Sequence, residues 1–386
     1  MLSVAIDITA ALYGRGVSRY TTNLVRGLLR QPNLRLTLYG STLRGHKQLS
    51  DIASALKTES KTKADIVIRA YPPALNNFLW NRMAFPKVRS SLPKVEVFHS
   101  WDWIQPPDKD LPLVSTIHDL AMLKFPETAH PKLLSMHKKS WEILKQRQAH
   151  IIAVSRATKR DIIEFLDIPP ERIHVVHEAL PQEVIAVGEQ LEEETVKGTI
   201  EKLGLTRPYV LAVGTREPRK NLERLIEAWE PLSTDYDLVI AGEQGWDATS
   251  TGKKLTDMKG LHLLGRVNEL QLAALYTNAK VFCYPSLYEG FGLPILEAFY
   301  FDVPVVTSNV SSMPEIAGNA AELVDPLSVE SIRVGITTIL KESKEQQQVR
   351  SQRMVIRQHM FSWNRAAQET AKVYALAAAA DKQNKA

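Results

Sequence analysis

Two acids with seven residues between them, Glu289 and Glu297, bound the run Glu289-Gly290-Phe291-Gly292-Leu293-Pro294-Ile295-Leu296-Glu297, just after the β-rich stretch Val281-Phe282-Cys283-Tyr284. Gly290 and Gly292 let a ligand approach the backbone closely. The amides of Phe291, Gly292 and Leu293 open a helix, and a helix amino end favours a diphosphate. Glu297 falls about one turn into that helix, where its carboxylate can reach sugar or ribose hydroxyls, while Glu289 sits on the preceding loop. A second run, Gly214-Thr215-Arg216-Glu217-Pro218-Arg219-Lys220-Asn221, follows the apolar stretch Tyr209 to Val213 and enters a helix over Leu222 to Trp229. Its cations can hold phosphate oxygens by charge-assisted hydrogen bonds, each contributing about 1.5–3 kcal/mol where water is excluded. Asn221 is placed to cap that helix. Each run alone also has a plain reading, a solvated basic loop in one case and solvated acids flanking a turn in the other.

Several other chemistries fail on a missing residue. Gly14-Arg15-Gly16-Val17-Ser18-Arg19 opens a helix after the first strand, but Arg19 stands where a dinucleotide fingerprint needs its third glycine, which argues against a dehydrogenase. Gly16-Val17-Ser18-Arg19-Tyr20 lacks the closing glycine of a nucleophile elbow, and no Walker A run occurs. Asp108-Lys109-Asp110 is boxed by Pro106, Pro107 and Pro112, and Asp235-Tyr236-Asp237 precedes its strand where a ligand pair would follow one. His174 and His177, three apart on an extended chain, point to opposite faces. No metal site is expected.

Short β-rich runs alternate with helical patterns along most of the chain, which means parallel sheets covered by helices on both faces. In the first half the strands read as Val4 to Asp7, Leu34 to Tyr39, Asp65 to Ile68, Val95 to Phe98, Leu113 to Ile117 and Ile151 to Val154. Helices read over Ser18 to Leu29, Pro131 to Gln148 and Arg156 to Leu166. The second half repeats the scheme from Tyr209 to Val213, through Leu238 to Ala241, Leu261 to Leu264, Val281 to Tyr284 and Val303 to Val306, to Ala321 to Val324. The fold class expected is α/β with two Rossmann-like domains. The acidic stretch Pro181 to Leu203 places the boundary near residue 180, giving domains of 1–180 and 181–362. Ser328 to Leu340 and Lys344 to Ala380 read as helices, with residues 381–386 frayed.

The chain has 386 residues, 44% apolar and 24% charged, which suits two globular domains and excludes disordered, collagen-like and coiled-coil classes. Its longest apolar run, Val373 to Ala380, is eight residues, far short of the roughly 18–20 of a membrane-spanning helix. The first residues run straight into Asp7, unlike a secretory leader, so a cytoplasmic location is expected. The single cysteine, Cys283, has no disulfide partner. The net charge of +5 divides unevenly: residues 1–180 carry 26 Lys/Arg against 16 Asp/Glu (+10), leaving 22 against 27 (−5) for the rest. Residues 57–94 concentrate the excess as Lys57, Lys61, Lys63, Arg69, Arg82, Lys87, Arg89 and Lys94, interleaved with Leu79, Trp80, Met83 and Phe85. That mixture suits a peripheral position on an anionic membrane surface, with a solvated face as the plain alternative. No module for nucleic acid accompanies the charge.

The spacing Glu289 to Glu297, with Glu289-Gly290-Phe291-Gly292-Leu293-Pro294, resembles the signature of retaining glycosyltransferases of family 4, which have the GT-B architecture. The likeness extends over nearly the whole chain. Gly16-Val17-Ser18-Arg19-Tyr20 resembles the family's amino-terminal glycine loop, and His118-Asp119-Leu120 its strand-end histidine. Val154 to Asp161 resembles the helix before the linker, Arg219-Lys220-Asn221 the diphosphate clamp, and Gly265-Arg266-Val267 the base-binding turn. The resemblance implies two Rossmann-like domains facing across a cleft, with a carboxyl-terminal helix, 363–380, crossing back to the amino domain. It implies a sugar nucleotide held at its diphosphate by Lys220, Arg219 and Arg216, by the amides of Phe291, Gly292 and Leu293, and by Gly16. Arg266 and Val267 would take the base, Glu297 the ribose and Glu289 the donor sugar, with His118 facing the sugar from the other domain; His118, Lys220 and Glu289 form the implied catalytic set.

Transfer from a sugar nucleotide passes through an oxocarbenium-like transition state while charge builds on the leaving diphosphate. Preorganised cations and helix-end amides stabilise that charge with no metal cofactor required. The family resemblance implies same-face attack assisted by the leaving phosphate; a Glu289 nucleophile in a double displacement is the alternative. The runs His118-Asp119-Leu120-Ala121, Phe125-Pro126-Glu127 and Glu217 to Leu222 look most like enzymes that use GDP-mannose, which implies a mannosyltransferase of polysaccharide biosynthesis. Acceptor choice, for a glycan or lipid-linked acceptor, falls to loops such as Tyr71 to Pro93 and Ser100 to Pro107. A sugar-nucleotide epimerase or phosphorylase of the same fold, and an inactive sugar-nucleotide-binding protein, are the other classes. Two departures from the family, Tyr300-Phe301-Asp302 and His177-Glu178 in place of an Asn-Gly turn, are expected to be local packing and linker differences that touch no catalytic residue.

Overall fold

A computed structural model describes residues 1–14, 16–71, 79–83, 85–244 and 258–385. In the first half the strands are β1 (Leu2–Asp7), β2 (Leu34–Ser41), β3 (Asp65–Arg69), β4 (Val97–Trp101), β5 (Leu113–Ile117), β6 (His150–Ala153) and β7 (Ile173–Val175). In the second they are β8 (Tyr209–Val213), β9 (Asp237–Ala241), β10 (Leu261–Gly265), β11 (Val281–Tyr284), β12 (Val305–Ser308) and β13 (Glu322–Val324). They pair in the orders β3-β2-β1-β4-β5-β6-β7 and β10-β9-β8-β11-β12-β13. Every pairing among the described residues is parallel. Both sheets start in the middle and reverse direction of growth there, β1 beside β4 and β8 beside β11, so each has the switch point at which open α/β sheets bind ligands.

The chain divides into two compact units, one of residues 1–123, 129–178 and 362–386, the other of 124–128 and 179–361. The central strands β1, β4, β5, β8 and β11 are buried over most of their length, as both faces carry helices, and this is why they read as unbroken apolar runs. Strand β7 escaped the sequence reading because Ile173-His174-Val175 is short and carries a histidine. The acidic stretch after residue 180 is helical, over Gln182–Glu189 and Glu193–Lys202.

Lys344 to Ala380 falls into two helices, Lys344–His359 and Trp363–Lys385, the second starting at the residue expected to open the carboxyl-terminal helix. The break has a local cause. Phe361 turns inward, its ring edge-on to Phe291 at 5.7 Å, and the Ser362 hydroxyl accepts a hydrogen bond from the Arg365 amide at 3.2 Å, starting a new helix. The helical backbone also persists through Lys385, past the point where fraying was expected.

Within the first unit the terminal helix lies on the helix Gly16–Leu29. A Cβ on Gly27 would stand 2.8 Å from both the Ala367 Cβ and the Trp363 carbonyl oxygen, so only glycine allows the approach. Tyr20 meets Trp363 edge-on at 5.6 Å. Further along, the Tyr374 hydroxyl and His99 Nδ1 hydrogen-bond at 2.6 Å, and His99 Nε2 meets the Thr116 hydroxyl at 2.9 Å. Burial, together with the charge of His118, pushes His99 down to about 3, so this ring is neutral.

Trp80 corrects the sequence reading of the basic stretch. Its ring is buried, stacked with Tyr39 at 6.2 Å and edge-on to Phe98 at 6.3 Å, and belongs to the core. Met83 and Phe85 are 62% and 60% exposed. Residues 72–78 and 84 of the proposed acceptor loop Tyr71 to Pro93 lie outside the described residues, as does Arg15 of the glycine loop.

Candidate active site

In the second unit the parallel strands deliver their following loops to one end of the sheet. The loop after β8 is pinned to the loop after β9: the Arg216 amide donates to the Glu243 carbonyl at 2.8 Å, and a Cβ on Gly242 would stand 1.9 Å from the Gly214 carbonyl oxygen. It is pinned to the loop after β11 through the Leu287 amide and the Arg219 carbonyl, 2.7 Å apart. These ties hold Arg219 and Lys220 over the end of β11.

Glu289 is where they converge. Lys220 Nζ donates to Glu289 Oε1 at 2.6 Å and to the Tyr284 hydroxyl at 2.9 Å; Arg219 Nη1 donates to Glu289 Oε2 at 2.7 Å and to the Tyr288 carbonyl at 3.2 Å. Arg219 also pairs with Glu217 at 2.7 Å. The Glu289 carbonyl accepts from the Ser311 and Ser312 hydroxyls at 2.7 and 2.9 Å, which fixes the backbone beneath its side chain. Burial alone would raise Glu289, but the charges of Lys220 and Arg219 outweigh it and hold the carboxyl at about 2. Lys220 does not show the mirror image. Burial pulls its ammonium down, and the pull of Glu289 is offset by the neighbouring Arg219 charge, so its value is lowered too. One acid faces two cations here, which is why Glu289 gains more than Lys220 does.

Arg216 lies in the same loop, and its Nε is buried with no hydrogen-bond partner among the described residues. Gly292 adopts φ 104°, a left-handed conformation suited to glycine, and begins the helix Leu293–Tyr300. Leu293 is the first residue of that helix, and the Phe291 ring packs beneath it against Phe361. Glu297 is buried, and Tyr276 donates to its Oε2 at 3.1 Å. Gly265, at φ 66°, turns the chain after β10 so that Arg266 is 76% exposed on its side chain, 3.5 Å from Glu243; Val267 follows, half-buried. The segment Lys124–Thr128 clusters with this unit, with the Phe125 ring 6.0 Å from Tyr288 and Lys124 Nζ 4.8 Å above that ring.

Asn221 does not cap the helix after it. Its residue is left-handed, φ 59°, and its side-chain amide donates instead to the Pro285 and Pro326 carbonyls at 3.0 and 2.6 Å. It works as a strut between the cation loop and the loop after β11. The Asp-x-Asp pairs are likewise spent on structure: Asp108 accepts from the Val88 and Arg89 amides, and Asp237 from Arg207 and His262.

In the first unit Gly16, exposed, starts the helix Gly16–Leu29 and has nothing among the described residues within 4 Å of where a Cβ would sit. His118 follows β5. Its ring is edge-on to Tyr20 at 4.6 Å and stacked on Trp101 at 6.2 Å, and Nδ1 lies 3.2 Å from Glu178 Oε1. Glu178 belongs to the departure His177-Glu178, so that departure does touch a residue given a catalytic role. The other one is packing, as expected: the Tyr300 hydroxyl donates to the Ile185 carbonyl at 3.1 Å and its ring closes on Gly188. Tyr284, Ser311 and Ser312 were missed because nothing in their sequence neighbourhood marks them; only Tyr284, ending the strand before the Glu289 loop, carried a positional hint.

The model of the family "Glycosyl transferases group 1" matches residues 195–353, and that of "Glycosyltransferase Family 4" matches residues 14–183. The O-antigen chain mannosyltransferase B of Escherichia coli is 34% identical over 273 residues, covering 68% of this chain and 70% of that one. The serotype-specific mannosyltransferase WbdA of Escherichia coli is 30% identical over 197 residues, 49% of this chain and only 24% of its own length. Among solved structures, Anabaena HepE in complex with UDP and glucose aligns with a TM-score of 0.68 at 14% identity, over 97% of this chain and 100% of that one. WaaG, a glycosyltransferase involved in lipopolysaccharide biosynthesis, aligns with 0.67 at 14% identity over 96% and 99%. These two show the fold. Two all-parallel sheets laid out as in GT-B enzymes, and identity sustained over most of a known transferase, make this chain a glycosyltransferase of family 4.

Proposed function

We propose that the enzyme moves mannose from GDP-mannose, with retention of configuration, onto a glycan or lipid-linked acceptor. The observation that carries the reading is the clustering of Lys220 and Arg219 on the buried Glu289 at the end of β8 and β11. The choice of mannose is supported by the likeness to the O-antigen chain mannosyltransferase B.

In this reading the donor's diphosphate lies against Lys220, Arg219 and Arg216 and the helix start at Phe291, Gly292 and Leu293. The Arg216 Nε, without a partner among the described residues, supports a place for an oxygen acceptor there. Charge that develops on the leaving diphosphate meets cations already fixed by Glu289 and Tyr284, so little reorganisation accompanies the step. These groups do the work for which other transferases use a divalent metal. Glu297 takes the ribose, Arg266 and Val267 the base, Glu289 the donor sugar, and His118 and Gly16 of the first unit the sugar and diphosphate. The exposed Met83 and Phe85, with Lys87 and Lys94, support a peripheral position on the cytoplasmic face of an anionic membrane, beside a lipid-linked acceptor.

Thermal shift with GDP-mannose, UDP-glucose and ADP-glucose tests the donor. A ligand at about 100 times its Kd adds about 2.7 kcal/mol of stability. GDP-mannose should give the largest shift and the only turnover; a larger shift and turnover with a UDP or ADP sugar overturns the choice of donor.

A further inference from the structure

We propose that Glu178 is a positioning residue for His118: its carboxylate holds the ring by Nδ1–H and so fixes the tautomer and the aim of Nε2, the nitrogen left to meet an oxygen of the sugar nucleotide. This rests on the reading above, in which His118 serves the transfer. Glu178 is buried, and Nδ1–H donates to its Oε1 across 3.2 Å. An ionised carboxylate only accepts, so Nδ1 must carry a proton. The other nitrogen, Nε2, is buried and has no hydrogen-bond partner among the described residues, although 19% of the side chain remains exposed. The ring cannot turn to relieve this, because Tyr20 meets it edge-on and Trp101 lies along its face.

The groups around the ring decide its charge. Tyr20, on the helix Gly16–Leu29, is pushed up by burial and stays neutral. His99 on β4, lowered to about 3, is neutral as well. Asp102 after β4, Asp119 after β5 and Glu178 after β7 supply negative charge. Burial alone would lower His118, but the hydrogen bond and charge of Glu178, with Asp102 and Asp119, outweigh it and the ring is raised above 6.5. With Nδ1 held as the N–H by Glu178, Nε2 is the nitrogen left to meet a hydroxyl or phosphate oxygen, accepting in the neutral ring and donating in the protonated one. Glu178 is the last residue of the first unit before the chain crosses to Ala179 in the second, a position where the family resemblance led one to expect an Asn-Gly turn.

The test pairs titration with kinetics on the full chain. Nuclear magnetic resonance of the His118 ring should show a midpoint above 6.5 in the wild type; a midpoint at or below 6.5 overturns the proposal whatever the variants do. Glu178→Gln should move that midpoint, and the limb of the rate profile that follows it, to lower pH, and cut transfer about 10- to 100-fold, the range for a carboxylate that orients a histidine from behind. In a His118→Gln background the same change should cost nothing further; an equal cost in both backgrounds makes Glu178 merely structural and overturns the proposal. Unimpaired transfer by His118→Gln alone would instead remove His118 from the reaction, and the two failures are thus told apart.

Discussion

Lys220 and Glu289, 69 residues apart in the chain, meet ammonium to carboxylate at 2.6 Å on loops that follow two adjacent strands, β8 and β11. Glu289 is buried and Lys220 largely so, and the pair shares its acid with Arg219 at 2.7 Å. An arrangement of this kind separates two effects that are often confounded. Removing one cation leaves the acid paired, so catalysis and folding need not fall together.

Lys220→Ala should therefore lower turnover by about two to three orders of magnitude, the cost of losing one preorganised charge stabiliser. Arg219 still neutralises Glu289, so no buried charge is stranded and the protein should fold. Transfer rates near those of the wild type would take Lys220 out of the mechanism and shift the weight to Arg216 and Arg219.

Stability in acid should follow Glu289. Its folded value of about 2 lies below the ordinary 4.5, so the folded state binds the proton less readily than the unfolded one. The contribution is then fully present above about pH 4.5 and lost as pH falls toward about 2, with a slope of at most about 1.4 kcal/mol per pH unit from this group. Glu289→Gln should flatten the melting temperature across that window. An unaltered acid slope in the variant would mean that other carboxylates carry it.

The terminal helix should hold the first unit together. Tyr374→Phe removes the hydroxyl that bonds His99 Nδ1 at 2.6 Å and leaves a buried nitrogen unsatisfied, at a cost of about 1–3 kcal/mol. Deleting residues from Ser362 onward should cost more, because Gly27 and Tyr20 lose the surface formed by Ala367 and Trp363. A melting profile unchanged by the deletion would sink the idea.

Recovery on anionic vesicles should exceed that on neutral ones and weaken as salt rises, since exposed charges are screened over about 8 Å at physiological ionic strength. Lys87 and Lys94 are exposed, whereas Arg89 is paired with Asp110 at 3.2 Å, so the first two carry the expectation, with about 1 kcal/mol per cation. Replacing Met83 and Phe85 by serine should reduce binding at every salt concentration. Equal recovery on both kinds of vesicle would leave this face an ordinary solvated surface.

The parallel α/β architecture was legible in the residues because strands buried on both faces must be apolar throughout. Val281 to Tyr284 or Tyr209 to Val213 can hardly be anything else. The cation loop and the Glu289–Glu297 segment were legible for a related reason: in such a sheet whatever follows a strand arrives at the ligand-binding end, so position along the chain stands in for position in space. Side-chain partners obey no such rule. Asn221 looked like a helix cap by its neighbours, yet its amide goes to Pro285 and Pro326, which only the folded sheet brings near. Trp80 looked like a surface ring among cations until Tyr39 and Phe98 enclosed it. Glu178 looked like a linker residue, and its bond to His118 spans 60 residues and two strands. A buried polar group is satisfied by whichever partner the tertiary structure places within about 3 Å, and one-dimensional spacing carries that information only within a helix turn, a hairpin or a single loop.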